Sequence, residues 1–85
     1  MNYFSQFWDE NREDEYASWG TSTWLFETNE SDVILKQITV YSNEKILKYS
    51  TEKLSDKFGS LSDQKLTIDD CDGEVISKED FYKVW

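Results

Sequence analysis

Two stretches of the chain alternate apolar and polar positions, which is the pattern of a β-strand. Residues 22–29 place Trp24 and Phe26 on one face and Leu25 on the other, and they are rich in β-forming residue types. Residues 33–41 alternate as well. One face of this second stretch carries Ile34, Lys36, Ile38 and Val40. The opposite face carries Val33, Leu35, Gln37, Thr39 and Tyr41. The polar segment 29–32 between the two stretches predicts a hairpin with a loop of about four to five residues.

A third strand is predicted after a tight turn at residues 42–45, where Asn43 can adopt the positive φ that such turns need. Ile46, Leu47 and Tyr49 follow, so the three strands form an antiparallel meander. The pattern weakens over residues 50–72, which predicts a long, turn-rich return with Gly59 in a turn. The apolar anchors that we expect in this return are Leu54, Phe58, Leu61, Leu66 and Ile68.

The N-terminal segment is ambiguous between helix and strand. Tyr3, Phe4, Phe7 and Trp8 fall at i, i+1, i+4 and i+5, which favours a short helix, although two short stretches of alternating strand would bury them nearly as well. After the charged residues 9–15, Tyr16 and Trp19 lead to Gly20, where we expect a turn.

A short helix is predicted at the C-terminus. Ser77 is followed three residues later by Asp80, a spacing typical of an N-terminal helix cap. Phe81, Val84 and Trp85 then share one helical face, which we expect to pack on the sheet.

The elements together predict an α+β fold in a single domain, residues 1–85. We expect an antiparallel meander sheet of three to four strands with short helices, one of them C-terminal, on one face. A chain of 85 residues buries only about 60 to 65% of the surface of its unfolded form. Its fourteen aromatic residues can supply the large buried areas that so small a core needs.

Charge indicates the chemistry of the partner. Eighteen acids against nine bases give a net charge of −9, which repels nucleic acid and anionic membranes and favours a cationic partner. Residues 1–35 carry eight acids and one base, residues 36–68 four acids and six bases, and residues 69–85 six acids and two bases. Two acidic ends therefore bracket a near-neutral middle.

The residue inventory argues against catalysis and against the common metal sites. Without histidine, neither a Ser–His nor a Cys–His pair can form, and Cys71 lies among acids that disfavour a thiolate. A lone cysteine, the absence of a basic leader and of a long apolar run predict a reduced, cytoplasmic protein. No pair of carboxylates is singled out by its neighbours, so we do not expect an enzyme.

One segment resembles a calcium-binding loop. Aligning Gly73 with position 6 of an EF-hand puts Asp70, Asp72 and Glu79 at positions 3, 5 and 12, but Ile68 occupies position 1, which requires an oxygen ligand. A polar turn followed by a capped helix is the favoured interpretation, and we expect no metal or other cofactor.

Residues 9–15 form an acidic run flanked by aromatic residues. Such a run is most often only a solvated segment. Carboxylates beside aromatic anchors are also what a surface needs to bind a basic protein, since the charges steer encounter and the rings supply affinity. The candidate partner-binding residues are Asp9, Glu10, Glu13, Asp14, Glu15, Tyr16, Asp69, Asp70 and Asp72.

Several segments together resemble a family of small bacterial proteins. They are Trp19-Gly20-x-Ser22-Thr23-Trp24-x-Phe26-Glu27, Gln37-Ile38-x-Val40-Tyr41, Leu47-x-Tyr49, Asp56-x-x-Gly59-x-Leu61 and Ile76-Ser77-x-Glu79-x-Phe81-x-x-x-Trp85. Members of this family resemble immunity proteins encoded beside polymorphic or contact-dependent growth-inhibition toxins. The chain departs from the family in having Glu44 where Gly is usual and Lys36 where Arg is common.

The resemblance implies a bacterial toxin inhibitor that acts by protein–protein interaction. Its partner would be a cognate basic toxin, most simply a nuclease, with no direct contact to nucleic acid or membrane. The alternative is an acidic adaptor or regulatory subunit that docks on another basic protein. Neither role requires catalytic residues.

Overall fold

A computed structural model describes residues 1–9, 17–62, 66 and 73–85. Its main element is a five-stranded antiparallel sheet, so the α+β class is confirmed, although the expected count of three to four strands is too low. The strands of this sheet are β1 (Asn2–Trp8), β2 (Ser22–Thr28), β3 (Ile34–Tyr41), β4 (Ile46–Ser50) and β7 (Glu74–Val75). They lie in the order β4-β3-β2-β1-β7.

Smaller elements connect and cover this sheet. A short 3-10 helix spans Ala17–Trp19, and β5 (Ser55–Asp56) pairs with β6 (Gly59–Ser60) in a separate hairpin. The helix α1 (Lys78–Val84) follows β7. Within the described ranges, no helix has the length and apolar character needed to cross a membrane.

The N-terminal segment is a strand, so the predicted helix is wrong. β1 pairs with β2 over its whole length, from Asn2 opposite Thr28 to Trp8 opposite Ser22. Consecutive side chains of a strand point to opposite faces. Tyr3 and Phe4 are therefore buried on opposite sides of the sheet, whereas a helix would have placed them on one side. A full ladder of backbone hydrogen bonds to β2 overrides the local spacing of the aromatic residues.

The predicted faces of β2 are confirmed, but one residue of β3 lies on the opposite face from the one expected. Register shifts between Glu27, which pairs with Lys36, and Thr28, which pairs with Ile34. The extra residue in β3 reverses the face of every side chain before it. Ile34 therefore packs with Phe26 rather than with Ile38.

The first hairpin forms as predicted, with its loop closed by an asparagine side chain. Asn29 Oδ1 accepts hydrogen bonds from the backbone N–H groups of Ser31 at 2.8 Å and Val33 at 3.1 Å. Asp32 adopts a φ of 64°. Asparagine and aspartate tolerate such turns because their short side chains bond to nearby backbone.

In the second hairpin, the positive φ lies at Glu44, with a value of 73°, and not at Asn43 as expected. Asn43 instead accepts a hydrogen bond from the backbone N–H of Lys45 at 2.9 Å through its side chain. Gly20, where a turn was expected, connects the chain to β2 with a left-handed φ of 84°, a conformation for which glycine is favoured.

The C-terminal helix packs its predicted face on one side of the sheet. Ser77 is the N-cap, and its hydroxyl oxygen accepts a hydrogen bond from the backbone N–H of Asp80 at 3.0 Å. Phe81 is fully buried. The cluster on this side consists of Tyr3, Leu25, Ile38 and Phe81, with Val40, Ile76, Val84 and Trp85 packed against it.

The second side of the sheet is covered by the 3-10 helix and the return after β4. Phe4, Phe26 and Ile34 form one buried cluster and Tyr41, Leu47 and Tyr49 another. Of the expected anchors, Phe58, Leu61 and Leu66 pack against these clusters. Leu54 is 61% exposed and is not an anchor. The return packs on the sheet through Phe58 and Leu61 instead. Ile68 lies outside the described residues.

The return is fixed to the sheet by one carboxylate. Asp56 Oδ1 accepts hydrogen bonds from the Tyr49 hydroxyl at 2.8 Å and from the backbone N–H groups of Phe58 at 2.8 Å and Gly59 at 3.2 Å. These bonds, led by that from Tyr49, lower the pKa of Asp56. Gly59 is the first residue of β6 and, opposite Asp56, the last residue of the tight turn between β5 and β6, where glycine was expected. An added Cβ at Gly59 would lie 3.2 Å from the Tyr49 hydroxyl, so the glycine gives this hydroxyl room to approach.

The left-handed backbone at Glu44 predicts that Glu44→Gly stabilises the fold. Glycine removes the cost of the left-handed conformation, about 1 kcal/mol or more. This should exceed the free-energy cost of the added entropy in the unfolded chain, so the free energy of unfolding should rise by about 0.5 kcal/mol. Glu30→Gly is the matched control, because this exposed loop residue has no positive φ. It should lower stability in the same urea titration. Equal effects of the two variants would contradict the role assigned to the backbone at residue 44.

Candidate protein-binding surface

Asp9 is the one predicted partner-binding residue that the structure describes. It is exposed and directly follows β1, so the acidic run begins where that strand ends. The remaining predicted residues lie outside the described ranges: Glu10, Glu13, Asp14, Glu15, Tyr16, Asp69, Asp70 and Asp72.

Both acidic segments attach to the same end of β1. Residues 10–16 follow Asp9, and residues 67–72 precede Gly73, which lies against β1 because Glu74 pairs with Ser5. An added Cβ at Gly73 would lie 1.7 Å from the Ser5 carbonyl oxygen. At about 3.4 Å per residue of strand, the two attachment points are separated by roughly 10 to 15 Å along β1. Sequence reasoning missed this proximity.

These two segments hold most of the net charge. Residues 10–16 carry four acids and one base and residues 67–72 carry three acids and no base, so together they hold −6 of the net −9. Residues 36–62, on β3, β4 and the return, carry five lysines and three acids. Charge is therefore uneven along the chain: the segments that connect to Asp9 and Gly73 are acidic, and residues 36–62 carry a small basic excess.

Apolar side chains are exposed beside the acidic attachment points. Phe7 is 63% exposed, Trp8 48% and Val75, on β7, 64%. Trp8 lies on the face of β1 that also carries Phe4, the partner of Val75, and Phe7 lies on the other face. A single exposed apolar residue is ordinary, but exposed rings on both faces of one strand end favour an interaction there. We name the described part of this region the acidic corner: Gln6, Phe7, Trp8, Asp9, Gly73, Glu74 and Val75.

A groove runs along the acidic corner on the side of the sheet opposite α1. Its volume is about 310 Å³, and its lining consists of Gln6, Trp8, Trp24 and Phe26. The rings of Trp24 and Phe26 are stacked, with centroids 6.2 Å apart and planes 24° from parallel. Trp24 Nε1 donates a hydrogen bond to Ser22 Oγ at 2.8 Å, so the indole is held in place and its N–H is satisfied.

A second cavity of about 350 Å³ lies between the sheet and the β5–β6 hairpin. Gln37 lines it and is buried, and both ends of its amide bond to the return. Nε2 donates to the Ser60 carbonyl oxygen at 3.3 Å, and Oε1 accepts from the Ser62 backbone N–H at 3.0 Å. Gln37 therefore joins β3 to the return. The sequence analysis did not predict this role.

A buried carboxylate lies under α1. Glu27 is 4% exposed, and its Oε2 accepts a hydrogen bond from the Tyr82 hydroxyl at 2.5 Å. Lys36 Nζ donates to the same hydroxyl at 2.9 Å, and this bond raises the pKa of Lys36. Burial, followed by hydrogen bonding to Glu27, raises the pKa of Tyr3 to about 12. The Tyr82 hydroxyl therefore joins α1 to Glu27 on β2 and to Lys36 on β3. This shared bond explains why the two charged residues lie on this face.

Metal-ligating side chains do not cluster in the described ranges. No group of three or more His, Cys, Asp or Glu side chains in this part of the chain could hold a metal ion. Asp70 and Asp72 of the loop compared above with an EF-hand lie outside it. The described site features are aromatic surface and charge, which suit recognition of another macromolecule.

Comparison with known proteins gives no match. No protein-family model, curated protein or solved structure is similar to this chain. The resemblance to immunity proteins stays a prediction.

The raised pKa of Tyr3 predicts a loss of stability in alkali. A neutral Tyr3 is favoured by the fold, so its contribution is complete below pH 10 and is lost as pH rises towards about 12. Unfolding in urea should show a decrease on the order of 2 kcal/mol over this interval. Tyr3→Phe should flatten this part of the profile. An equally steep decrease in Tyr3→Phe would contradict the assignment.

Proposed function

We propose that the protein is a toxin-neutralising immunity protein whose acidic corner binds a basic toxin domain, most simply a nuclease. The observation that carries the proposal is the attachment of both strongly acidic segments to one strand end that also exposes Phe7 and Trp8. Charge and apolar surface are the two components that a high-affinity interface with a basic protein needs.

Inhibition would require no chemistry by this chain. A nuclease presents a cationic surface to substrate phosphates, and carboxylates can occupy that surface in their place. The bulk of the bound domain would then exclude nucleic acid. The exposed rings of Phe7 and Trp8 can lose water on binding and supply affinity that charge alone does not give.

The charge asymmetry also selects an orientation. The basic region of residues 36–62 disfavours approach of a cationic partner from the β4 side, while the acidic corner attracts it. Complementary potentials of this kind act mainly on the association rate and on the choice of partner. A partner should therefore arrive with its basic surface facing β1 and β7.

Co-expression tests the biological role. The protein should protect cells from the toxin domain encoded beside its gene and bind that domain as a purified complex. A neighbouring enzyme without toxin activity, bound by the same acidic corner, would replace the immunity proposal with the adaptor alternative. Failure to bind any basic protein encoded nearby would exclude both.

The steering charges can be tested by a matched pair of quadruple variants. Neutralising Glu10, Glu13, Asp14 and Glu15 as Gln or Asn should slow association with the toxin about tenfold or more at low salt and flatten its dependence on ionic strength, because screening acts on long-range steering. The control neutralises four exposed acids outside the corner, Glu30, Glu44, Glu52 and Glu79, with the same change in net charge. Stopped-flow measurements should show a clearly smaller effect of the control. Equal slowing by both would indicate that net charge acts without a localised surface.

A further inference from the structure

We propose that the groove lined by Gln6, Trp8, Trp24 and Phe26 receives an arginine side chain of the basic partner. This inference rests on the proposed function and adds to it the chemical group that the surface recognises. The groove lies within and beside the acidic corner, on the side of the sheet that α1 does not cover.

The other two tryptophans of the chain already hold cations. Lys45 Nζ lies 5.7 Å from the ring centroid of Trp19, and Lys36 Nζ lies 5.1 Å from that of Trp85. Such contacts place an ammonium or guanidinium group over the negative face of the ring. Among the described residues, no lysine or arginine lies over Trp8 or Trp24. With respect to the described lysines, the rings of Trp8 and Trp24 are therefore available to a cation supplied by a partner.

The shape and polarity of the groove favour a guanidinium group. Its rings provide stacking surface, and Trp24 offers no free donor because its N–H is bonded to Ser22. Guanidinium is planar and more weakly hydrated than ammonium, so it stacks on aromatic rings with less loss of hydration. Asp9 directly follows Trp8 in the chain and is exposed, so it adds a carboxylate to the same strand end.

Charge argues against two other occupants of the groove. A second copy of this chain would bring a net charge of −9 against the acidic corner of the first. A wholly apolar side chain would gain no electrostatic attraction from Asp9 or from the acidic segments that connect to the corner at Asp9 and Gly73. A basic protein complements both the rings and the charge.

The test uses a capped hexapeptide of alternating glycine and arginine, with citrulline peptide as its neutral match. The four indole N–H signals of the protein are followed by NMR during titration. We expect the arginine peptide to shift the signals of Trp8 and Trp24 saturably, and the citrulline peptide to bind about tenfold more weakly. The signals of Trp19 and Trp85 should change little.

Trp8→Leu removes the ring while keeping apolar bulk, and Phe7→Leu makes the matching change on the other face of the same strand. Trp8→Leu should weaken arginine-peptide binding about tenfold, and Phe7→Leu should leave it within about twofold. Equal effects of the two variants, equal binding of citrulline peptide, or a dimer in sedimentation that Trp8→Leu dissociates would each overturn the inference. Protection from the toxin by Trp8→Leu, without peptide binding by the parent, would overturn this inference alone and leave the proposed function standing.

Discussion

Burial of both faces of β2 is the constraint on which the rest of the structure depends. Leu25 and Phe26 are consecutive, point to opposite sides of the sheet, and are 8% and 7% exposed. A sheet with two apolar faces must be covered twice, and a chain of 85 residues has few residues left for covering it. The helix α1 covers one face, and the return with the 3-10 helix covers the other. At the end of β1, neither of these covering layers buries Phe7 or Trp8, as far as the described residues extend.

Thin covering layers need specific attachments, and the buried polar side chains of Glu27 and Gln37 provide them. On one face, the Tyr82 hydroxyl joins Glu27 to Lys36 and so ties α1 to two strands. On the other face, the Gln37 amide bonds to the return through both of its ends. A buried polar group costs little when every partner is present and a great deal when one is missing. These contacts therefore specify where each layer sits, while the aromatic clusters supply most of the favourable burial.

The sequence predicted the elements whose signals are local. The alternation of β2, the residues of β4 and the Ser77 cap of α1 need only neighbours in the chain, and each is confirmed. The N-terminal strand was missed because its aromatic spacing is compatible with a helix, and pairing with β2 decides the outcome. The face of Ile34 was missed because a register shift leaves no trace in the pattern. The positive φ at Glu44 runs against the usual residue preference.

The candidate site was predictable in composition but not in arrangement. The acidic segments and their aromatic neighbours are visible in the sequence, whereas the pairing of Glu74 with Ser5 joins residues from opposite ends of the chain. If this pairing creates a binding surface, hydroxyl-radical footprinting of the free and toxin-bound protein should detect it directly. Binding should protect Phe7, Trp8 and Val75 from oxidation and leave Ile46 and Leu54, also exposed, unprotected. Protection of Ile46 and Leu54 with continued oxidation of Phe7 and Trp8 would contradict the claim.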